Sequence, residues 1–142
     1  MLDVALARGA QERAAVFAIR EAVFVVEQQV PLEQERDPFD AHADHFLARV
    51  DGAPVGAGRL VSRHEVGVLG RLAVLSQARG VGVGGALAGA VEERARALGL
   101  HAIELHAQVH ALGFYERLGY TSYGPRFVES GIEHVAMRKP LG

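Results

Sequence analysis

The sequence predicts an α/β (α+β) fold: one mixed, mostly antiparallel sheet of six or seven strands, flanked by about four helices, in a single domain of residues 1–142. Two observations carry this prediction. Short apolar runs bounded by turn signals recur along the chain, which is typical of strands. Two longer segments place apolar residues three and four positions apart, which is typical of amphipathic helices. The predicted order is β-α-β-β-β-α-β-α-β-β.

The N-terminal third is predicted to contain one strand, one helix and a polar loop. Leu2 to Leu6 is short and apolar, as expected of a first strand. Gln29 to Ala43 is acidic and interrupted by two prolines, which indicates a loop with one short helical turn. Gly9 to Gln28 is predicted to be helical because apolar residues recur at helical spacing: Ala15, Val16, Ile19, Val23 and Val26.

A hairpin meander is predicted to follow this loop. Asp51-Gly52 lies between the apolar runs His45 to Val50 and Pro54 to Ser62. This dipeptide favours a two-residue hairpin turn because both turn residues need a positive φ. Val66 to Val74 is a third apolar run, and we expect it to continue the antiparallel arrangement.

The C-terminal half is predicted to alternate helices with strands. A helix from Gly80 to Leu98, ended by Gly99, is predicted from one apolar stripe: Val83, Leu87, Val91, Ala95 and Leu98. The remaining elements are a strand, a short helix ended by Gly119, and two last strands: Ala102 to Ala107, Ala111 to Leu118, Tyr120 to Tyr123 and His134 to Arg138. The last strands are apolar and end the sheet, so the sequence is compatible with a homodimer.

Composition excludes several classes of function. The formal net charge is −2, so no global basic field attracts nucleic acid or an anionic membrane, and we expect neither as a partner. The chain has no cysteine, which excludes disulfides, thiolate nucleophiles and cysteine-ligated metals. The first residues lack the apolar segment of a secretory signal, and no run is long enough to span a bilayer. A cytoplasmic location is the prediction.

The glycine-rich segment from Gln77 to Leu87 is the strongest functional signal in the sequence. Glycines at 80, 82, 84 and 85 leave the backbone bare, so consecutive N–H groups can approach one anion. The predicted helix offers the unpaired amides of its N-terminus to the same anion. Arg79 adds a mobile positive charge. Together these features predict a diphosphate site.

The same glycines also spell Gly80-x-Gly82-x-x-Gly85, the dinucleotide-binding fingerprint, with Glu104 near the spacing of its ribose-binding acid. A nucleotide-binding oxidoreductase module is therefore an alternative. That fingerprint normally follows the first strand of a parallel βαβ unit. Here it follows a predicted antiparallel meander, and Glu104 lies inside a predicted strand rather than at its end. The triphosphate motif GxxxxGK[ST] is absent.

Two motifs at the expected separation resemble those of the GNAT superfamily of N-acetyltransferases. The family motif Q/R-x-x-G-x-G/A stands here as Gln77-Ala78-Arg79-Gly80-Val81-Gly82, after a strand that ends Leu72-Ala73-Val74. The segment ALGFYERLGY, residues 111–120, is similar to the second motif, A-x-x-F-Y-x-x-L-G-F. The resemblance covers the chain from about residue 12. FVVEQQVP and ERDPFDAHADHFL also resemble the small bacterial ElaA-like subgroup.

This resemblance implies an acyltransferase that moves an acetyl group from acetyl-CoA to a primary amine of a small molecule or peptide, releasing CoA. It implies direct attack by the amine, with a sheet splayed at the cofactor cleft. Tyr115 is implied as the proton donor to the leaving thiolate, and a backbone N–H near Leu72 or Ala73 as the group that polarises the thioester. The implied cofactor-binding residues lie in two segments: Leu72, Ala73 and Val74, and Arg79, Gly80, Val81, Gly82, Val83 and Gly84.

The general base is not identified by the sequence. An amine must lose a proton before it attacks, and many family members carry a glutamate on the strand before the loop, whereas Val66 to Val74 has none. Glu27, at a predicted helix end, could enter the cleft with a raised pKa and act as the base, or could be solvated. His110 could be a base or an exposed loop residue. A CoA-binding protein without turnover is therefore another alternative.

Three further features each carry a functional and a structural interpretation. Tyr115 could be a core aromatic beside Phe114 rather than a proton donor. His45 could contribute to a metal site or the acceptor pocket, or cap a strand by hydrogen bonding; the structural interpretation is favoured, and no metal is predicted. The acidic loop could attract a cationic amine or be solvated: Glu33, Glu35, Asp37 and Asp40.

Overall fold

The computed structural model describes residues 1–142 as a seven-stranded sheet with helices on both faces. Both the predicted fold class and the predicted order of the strands and main helices are confirmed. The strands are β1 Leu2–Leu6, β2 Asp44–Val50, β3 Ala53–Arg63, β4 Val66–Val74, β5 Ala102–Gln108, β6 Thr121–Glu129 and β7 Ile132–Pro140. The α-helices are α1 Gly9–Arg20, α2 Leu32–Glu35, α3 Val83–Ala97 and α4 Leu112–Arg117.

The strands lie in the order β1-β2-β3-β4-β5-β7-β6, and every pair is antiparallel except β4 and β5. These two strands pair over only three positions, from Val66 opposite Ala102 to Val68 opposite Glu104. Beyond Val68 they separate, so β4 leaves backbone groups unpaired on the side that faces β5. The predicted splay of the sheet is confirmed.

A β-bulge interrupts β4 beside this gap. Arg59 on β3 lies opposite Gly70 and Ala57 lies opposite Ala73, so β4 carries one residue more than β3 between these pairs. Arg71, within the bulge, has φ 52°. Because a bulge leaves its extra residue out of the ladder, the pairing of β3 with β4 is interrupted at the position where the sheet opens.

Helix α3 covers one face of the sheet. Val83, Leu87, Val91 and Ala95 are buried, as the apolar stripe predicts, but Leu98 lies past the helix end and is 43% exposed. The predicted start at Gly80 is wrong. Gly80 and Gly82 have positive φ values, so the helix begins at Val83.

Helix α1 covers the opposite face, where its buried residues pack against small and aliphatic residues of β2, β3 and β4. It continues into a π-helical turn, Glu21–Glu27, in which the Gln28 N–H donates to the Val23 carbonyl. We call this turn the π segment. Val26 belongs to the apolar helical pattern of the sequence, but the wider turn moves it off the core face and its side chain is 71% exposed.

Two other predicted boundaries differ from the structure. Residues 29–43 hold two helical turns rather than one, α2 and a 3₁₀ turn at Pro38–Ala41 that Asp37 caps. The strand predicted at Tyr120 to Tyr123 extends to Glu129. Its Pro125 is tolerated because β6 is an edge strand, where a missing N–H costs no ladder bond. The predicted hairpin is confirmed, with Asp51 and Gly52 both at positive φ.

Candidate active site

A cavity of about 900 Å³ opens where β4 and β5 separate. Its walls come from β3, β4 and β5, the π segment, α4, and the turn between β6 and β7. A smaller cavity of about 270 Å³ lies at the glycine-rich loop and shares Val74, Arg79 and Phe114 with the large one. The cavity at the glycine-rich loop therefore adjoins the cavity inside the splayed sheet.

The glycine-rich loop has the geometry that an anion site requires. Gly80 and Gly82 adopt positive φ, and a Cβ built on either would meet no atom within 4 Å, so their backbone faces open space. The first hydrogen bond of α3 runs from Ala86 to Gly82. The amides of residues 83–85 therefore lack partners within the helix and lie at its positive end.

Arg79 does not carry the mobile charge that the sequence predicts. Its Nε donates to the Val74 carbonyl at 3.0 Å, and its two Nη atoms lie 2.7 and 2.6 Å from the carboxylate of Glu27. The raised pKa expected for Glu27 is also wrong, because the hydrogen bond from Arg79 lowers it. Glu27 does line the large cavity, and its catalytic role stays a prediction.

Gly82→Ala is expected to destabilise the fold by about 1–2 kcal/mol, because an L residue is strained in the left-handed conformation. The substitution also adds a methyl group on the open face of the loop, where the predicted diphosphate would bind. Gly89→Ala is the matched control: Gly89 is an exposed residue within α3, where the same change should stabilise by about 0.5–1 kcal/mol. Chemical denaturation measures both. Equal effects of the two substitutions would contradict the strain at Gly82.

The other predicted cofactor-binding positions lie along the same gap. Leu72, Ala73 and Val74 line the large cavity at the end of β4. Val83 is buried in the core, so only its backbone can serve a ligand, whereas the Val81 side chain is 66% exposed. The structure therefore brings the two predicted segments together at one gap, and their binding roles stay predictions.

Tyr115 is both packed among aromatic residues and exposed to the cavity, so the structure agrees with each of its two sequence interpretations, core aromatic and proton donor. It packs edge-on against Phe114 and Tyr120, with ring centroids 4.9 and 5.9 Å away, and it also lines the large cavity. Burial raises the pKa of Tyr115 to about 12. The phenol therefore stays protonated at neutral pH, which is the form that a proton donor needs.

A buried arginine–carboxylate cluster forms the wall of the cavity on the side of the acidic loop. Glu35 is 2% exposed, and its carboxylate accepts a hydrogen bond of 2.8 Å from Arg20, which is itself fully buried. Burial opposes the charge of Asp40, but hydrogen bonds from Arg20 and Arg59 outweigh it and hold its pKa far below the usual range. The members of the cluster are Arg20, Glu35, Asp37, Asp40, Arg59 and Arg71.

This cluster corrects the sequence interpretation of the acidic loop. Glu35 and Asp40 are neither solvated nor free to attract a cation, because arginines neutralise them. The arginines were missed, although one signal was present: Arg20 lies four residues after Val16, on the buried face of α1. The Nε2–H of His45 donates to the Asp40 carbonyl at 2.9 Å, which supports its structural interpretation. No three histidine or acidic side chains form a metal-binding group.

Histidines lie on the far side of the gap. His110 is exposed, and its Nε2 lies 2.6 Å from Oε1 of Gln108. His106 and His134 line the cavity on β5 and β7, with Glu129 between them. His134 was predicted only as the start of a strand. The Ser130-Gly131 turn was the signal in the sequence, because a turn there pairs two strands and brings Glu129 close to His134.

Residues 8–141 match the model of the acetyltransferase (GNAT) domain. The chain belongs to the GNAT acetyltransferase family. It is similar to E. coli ElaA, at 27% identity and TM-score 0.86, covering 98% of this chain and 99% of ElaA. An acyl-CoA N-acyltransferase from Pseudomonas aeruginosa is 31% identical with TM-score 0.86, covering 98% of this chain and 99% of that one.

Sequence relatives match over a shorter region. The uncharacterized N-acetyltransferase YjcF of Bacillus subtilis is 39% identical over 87 residues, 61% of this chain and 62% of YjcF. The chain spans about three fifths of the length of the curated relatives it matches. The predicted family is thus confirmed, and the likeness to ElaA supports the predicted subgroup. No helix is both long and apolar enough to cross a membrane.

Proposed function

We propose that this GNAT protein transfers an acetyl group from acetyl-CoA to a primary amine of a small molecule or peptide. The observation that carries the proposal is that the cavity at the glycine-rich loop adjoins the cavity that Tyr115 and the free edge of β4 line. In this proposal the diphosphate lies at the glycine-rich loop and the thioester lies beside Tyr115. The P. aeruginosa neighbour, an acyl-CoA N-acyltransferase, supports an acyl-CoA donor.

The residues present fit such a donor. Amides 83–85 and the bare backbone at Gly80 and Gly82 are suited to a diphosphate. The unpaired edge of β4 can add an extended, amide-containing arm as if it were a strand. Acetyl-CoA supplies an activated acyl group. In the proposed reaction a backbone N–H of β4 beside the bulge donates to the developing oxyanion, and the hydroxyl of Tyr115 donates a proton to the leaving sulfur.

The ion pair between Glu27 and Arg79 competes with the donor for the arginine. Glu27→Gln is therefore expected to tighten CoA binding by about twofold, because an exposed ion pair is weak. Arg79→Gln should weaken CoA binding about tenfold, the value of one charge-assisted hydrogen bond. Calorimetric titration with CoA measures both substitutions. Weaker binding by the Glu27 variant would show that the pair does not compete with the cofactor.

Thermal unfolding tests the choice of donor. Acetyl-CoA and CoA at about 100 times their Kd should stabilise the fold by about 2.7 kcal/mol and raise Tm by several degrees. NADH at the same concentration should leave Tm unchanged, since the loop follows an antiparallel meander rather than the first strand of a parallel βαβ unit. A flat response to both CoA and acetyl-CoA rejects the proposal.

A CoA-binding protein without turnover is the second candidate. The observation in its favour is that β4 carries no carboxylate, although many family members have a glutamate base on this strand. Such a protein would bind CoA and gain a higher Tm from that binding, but it would acetylate no amine. The absence of nucleic-acid and membrane partners, the homodimer and the cytoplasmic location stay predictions.

A further inference from the structure

None of the residues that the sequence suggested as the general base is well suited to take a proton from the acceptor amine. The only charged residue of β4 is Arg71. Glu27 is bound by Arg79, and the hydrogen bond lowers its pKa, which makes it a weaker base. Glu35, Asp37 and Asp40 of the acidic loop are held by the arginine–carboxylate cluster. Glu33 is exposed and does not line the cavity, and His110 is exposed.

The hydrogen bonding of His134 determines which of its ring nitrogens can act as a base. Its Nδ1 lies 2.7 Å from the carbonyl oxygen of Ile132. A carbonyl can only accept, so Nδ1 carries the hydrogen and Nε2 is left unprotonated in the neutral ring. The side chain is 9% exposed and lines the large cavity. Stacking on Phe127, with centroids 5.9 Å apart and planes 20° apart, holds the ring in this orientation.

Glu129 is placed to stabilise the protonated form of this ring. Its Oε1 lies 4.0 Å from Nε2 of His134, and its Oε2 lies 3.1 Å from Nδ1 of His106. The strand pairs of His134 are uncharged at Gln108 and aromatic at Phe127. On β7 itself, Glu133 pairs with Arg126 at 3.3 Å. Glu129 and His106 are thus the titratable groups that bear on His134 through these contacts.

We propose that Nε2 of His134 is the general base that takes the proton from the acceptor amine. In this step the amine nitrogen forms the bond to the acyl carbon as its proton passes to Nε2, and the carbon–sulfur bond breaks as Tyr115 protonates the thiolate. Proton exchange with solvent then returns both side chains to their starting states. The inference rests on the proposed function and adds the identity of the general base, which the sequence did not determine.

Three substitutions test the base. His134→Gln keeps a polar side chain of similar volume, His134→Ala leaves space for imidazole, and His101→Gln is the matched control at an exposed histidine paired only with Glu65. The probes are L-lysine ethyl ester, spermidine, tyramine and a tripeptide with a free N-terminus. Thiol release from acetyl-CoA is followed from pH 5.5 to 9 with the fastest of these amines.

We expect His134→Gln to lower kcat about 100-fold or more and to remove the fall in kcat/KM at acidic pH that protonation of the base causes. CoA affinity and Tm should stay near those of the wild type. Imidazole should restore part of the activity of His134→Ala, which a purely structural histidine would not permit. Ring nitrogen NMR of the wild-type chain should show His134 as the Nδ1-protonated tautomer.

Two results distinguish a failure of the His134 inference from a failure of the proposed acetyltransferase activity. If the wild type acetylates an amine and His134→Gln keeps its rate and pH profile, the base is elsewhere and the acetyltransferase stands. If the wild type binds CoA but acetylates none of the four amines, the proposed function fails and the base fails with it. A loss of activity without rescue by imidazole, accompanied by a lower Tm, would make His134 a packing residue and overturn the inference.

Discussion

Tyr115→Phe is expected to reduce turnover about 100-fold or more while leaving CoA affinity nearly unchanged. The substitution removes one hydroxyl from a ring that otherwise keeps its packing against Phe114 and Tyr120. The pKa of about 12 keeps the phenol protonated at every pH at which the assay is practical. A proton donor to the leaving thiolate acts only in the transition state, so its loss lowers kcat rather than binding.

Tyr120→Phe provides the contrast. Tyr120 is buried outside the cavity, and its hydroxyl donates to Glu92 at 3.0 Å. Its loss should cost about 1.5–3 kcal/mol of stability, the value of a hydrogen bond to a charged group, with little change in turnover. Steady-state kinetics and denaturation of both variants therefore give opposite patterns. A Tyr115→Phe protein that keeps full turnover would remove the hydroxyl from the mechanism.

Arg20→Met is expected to destabilise the fold by about 3–5 kcal/mol. The guanidinium is fully buried and holds Glu35 at 2.8 Å and Asp40 at 2.7 Å. Removing one partner of a buried ion pair leaves the other charges uncompensated, which costs more than the pair itself contributes. Arg94→Met is the control, because Arg94 pairs with Asp44 at the surface and should cost only about 0.2–1 kcal/mol.

The same cluster predicts how stability depends on pH. The folded-state pKa of Asp40 lies below its unfolded value of about 3.9. Its contribution is therefore complete above about pH 4 to 5 and is lost as pH falls toward the folded-state pKa. Arg20→Met should flatten this acid limb, since the arginine that lowers the pKa is gone. Urea midpoints measured from pH 3 to 7 check the sign, and an unchanged limb would contradict it.

Local sequence signals account for most of the fold. Asp51-Gly52 predicted its hairpin because only a few dipeptides accept two positive φ values, and the stripe from Val83 to Ala95 predicted α3 because burial requires helical spacing. The errors come from backbone irregularities that spacing does not encode. The π segment at Glu21–Glu27 displaced Val26, and the bulge at Arg71 arises only when β3 and β4 pair.

In the candidate site, too, the residues within contiguous motifs were predicted and the contacts between distant residues were not. The glycine-rich loop and Tyr115 lie in contiguous motifs, so they were found without coordinates. The partner of Arg79 was not found, because Glu27 is 52 residues away in sequence. His134 and Glu129 come together across a strand turn, and the tautomer of His134 depends on a carbonyl two residues away. Spatial contacts of this kind appear only in the folded structure.

Amine-dependent release of CoA tests the central claim most directly. The full chain is incubated with acetyl-CoA and each of the four amines, free thiol is measured over time, and the product is examined by mass spectrometry. We expect at least one amine to accelerate thiol release and to gain one acetyl group, with no acetylated protein as an intermediate. Acetyl-CoA that stabilises the chain while no amine accelerates thiol release would contradict an acetyltransferase.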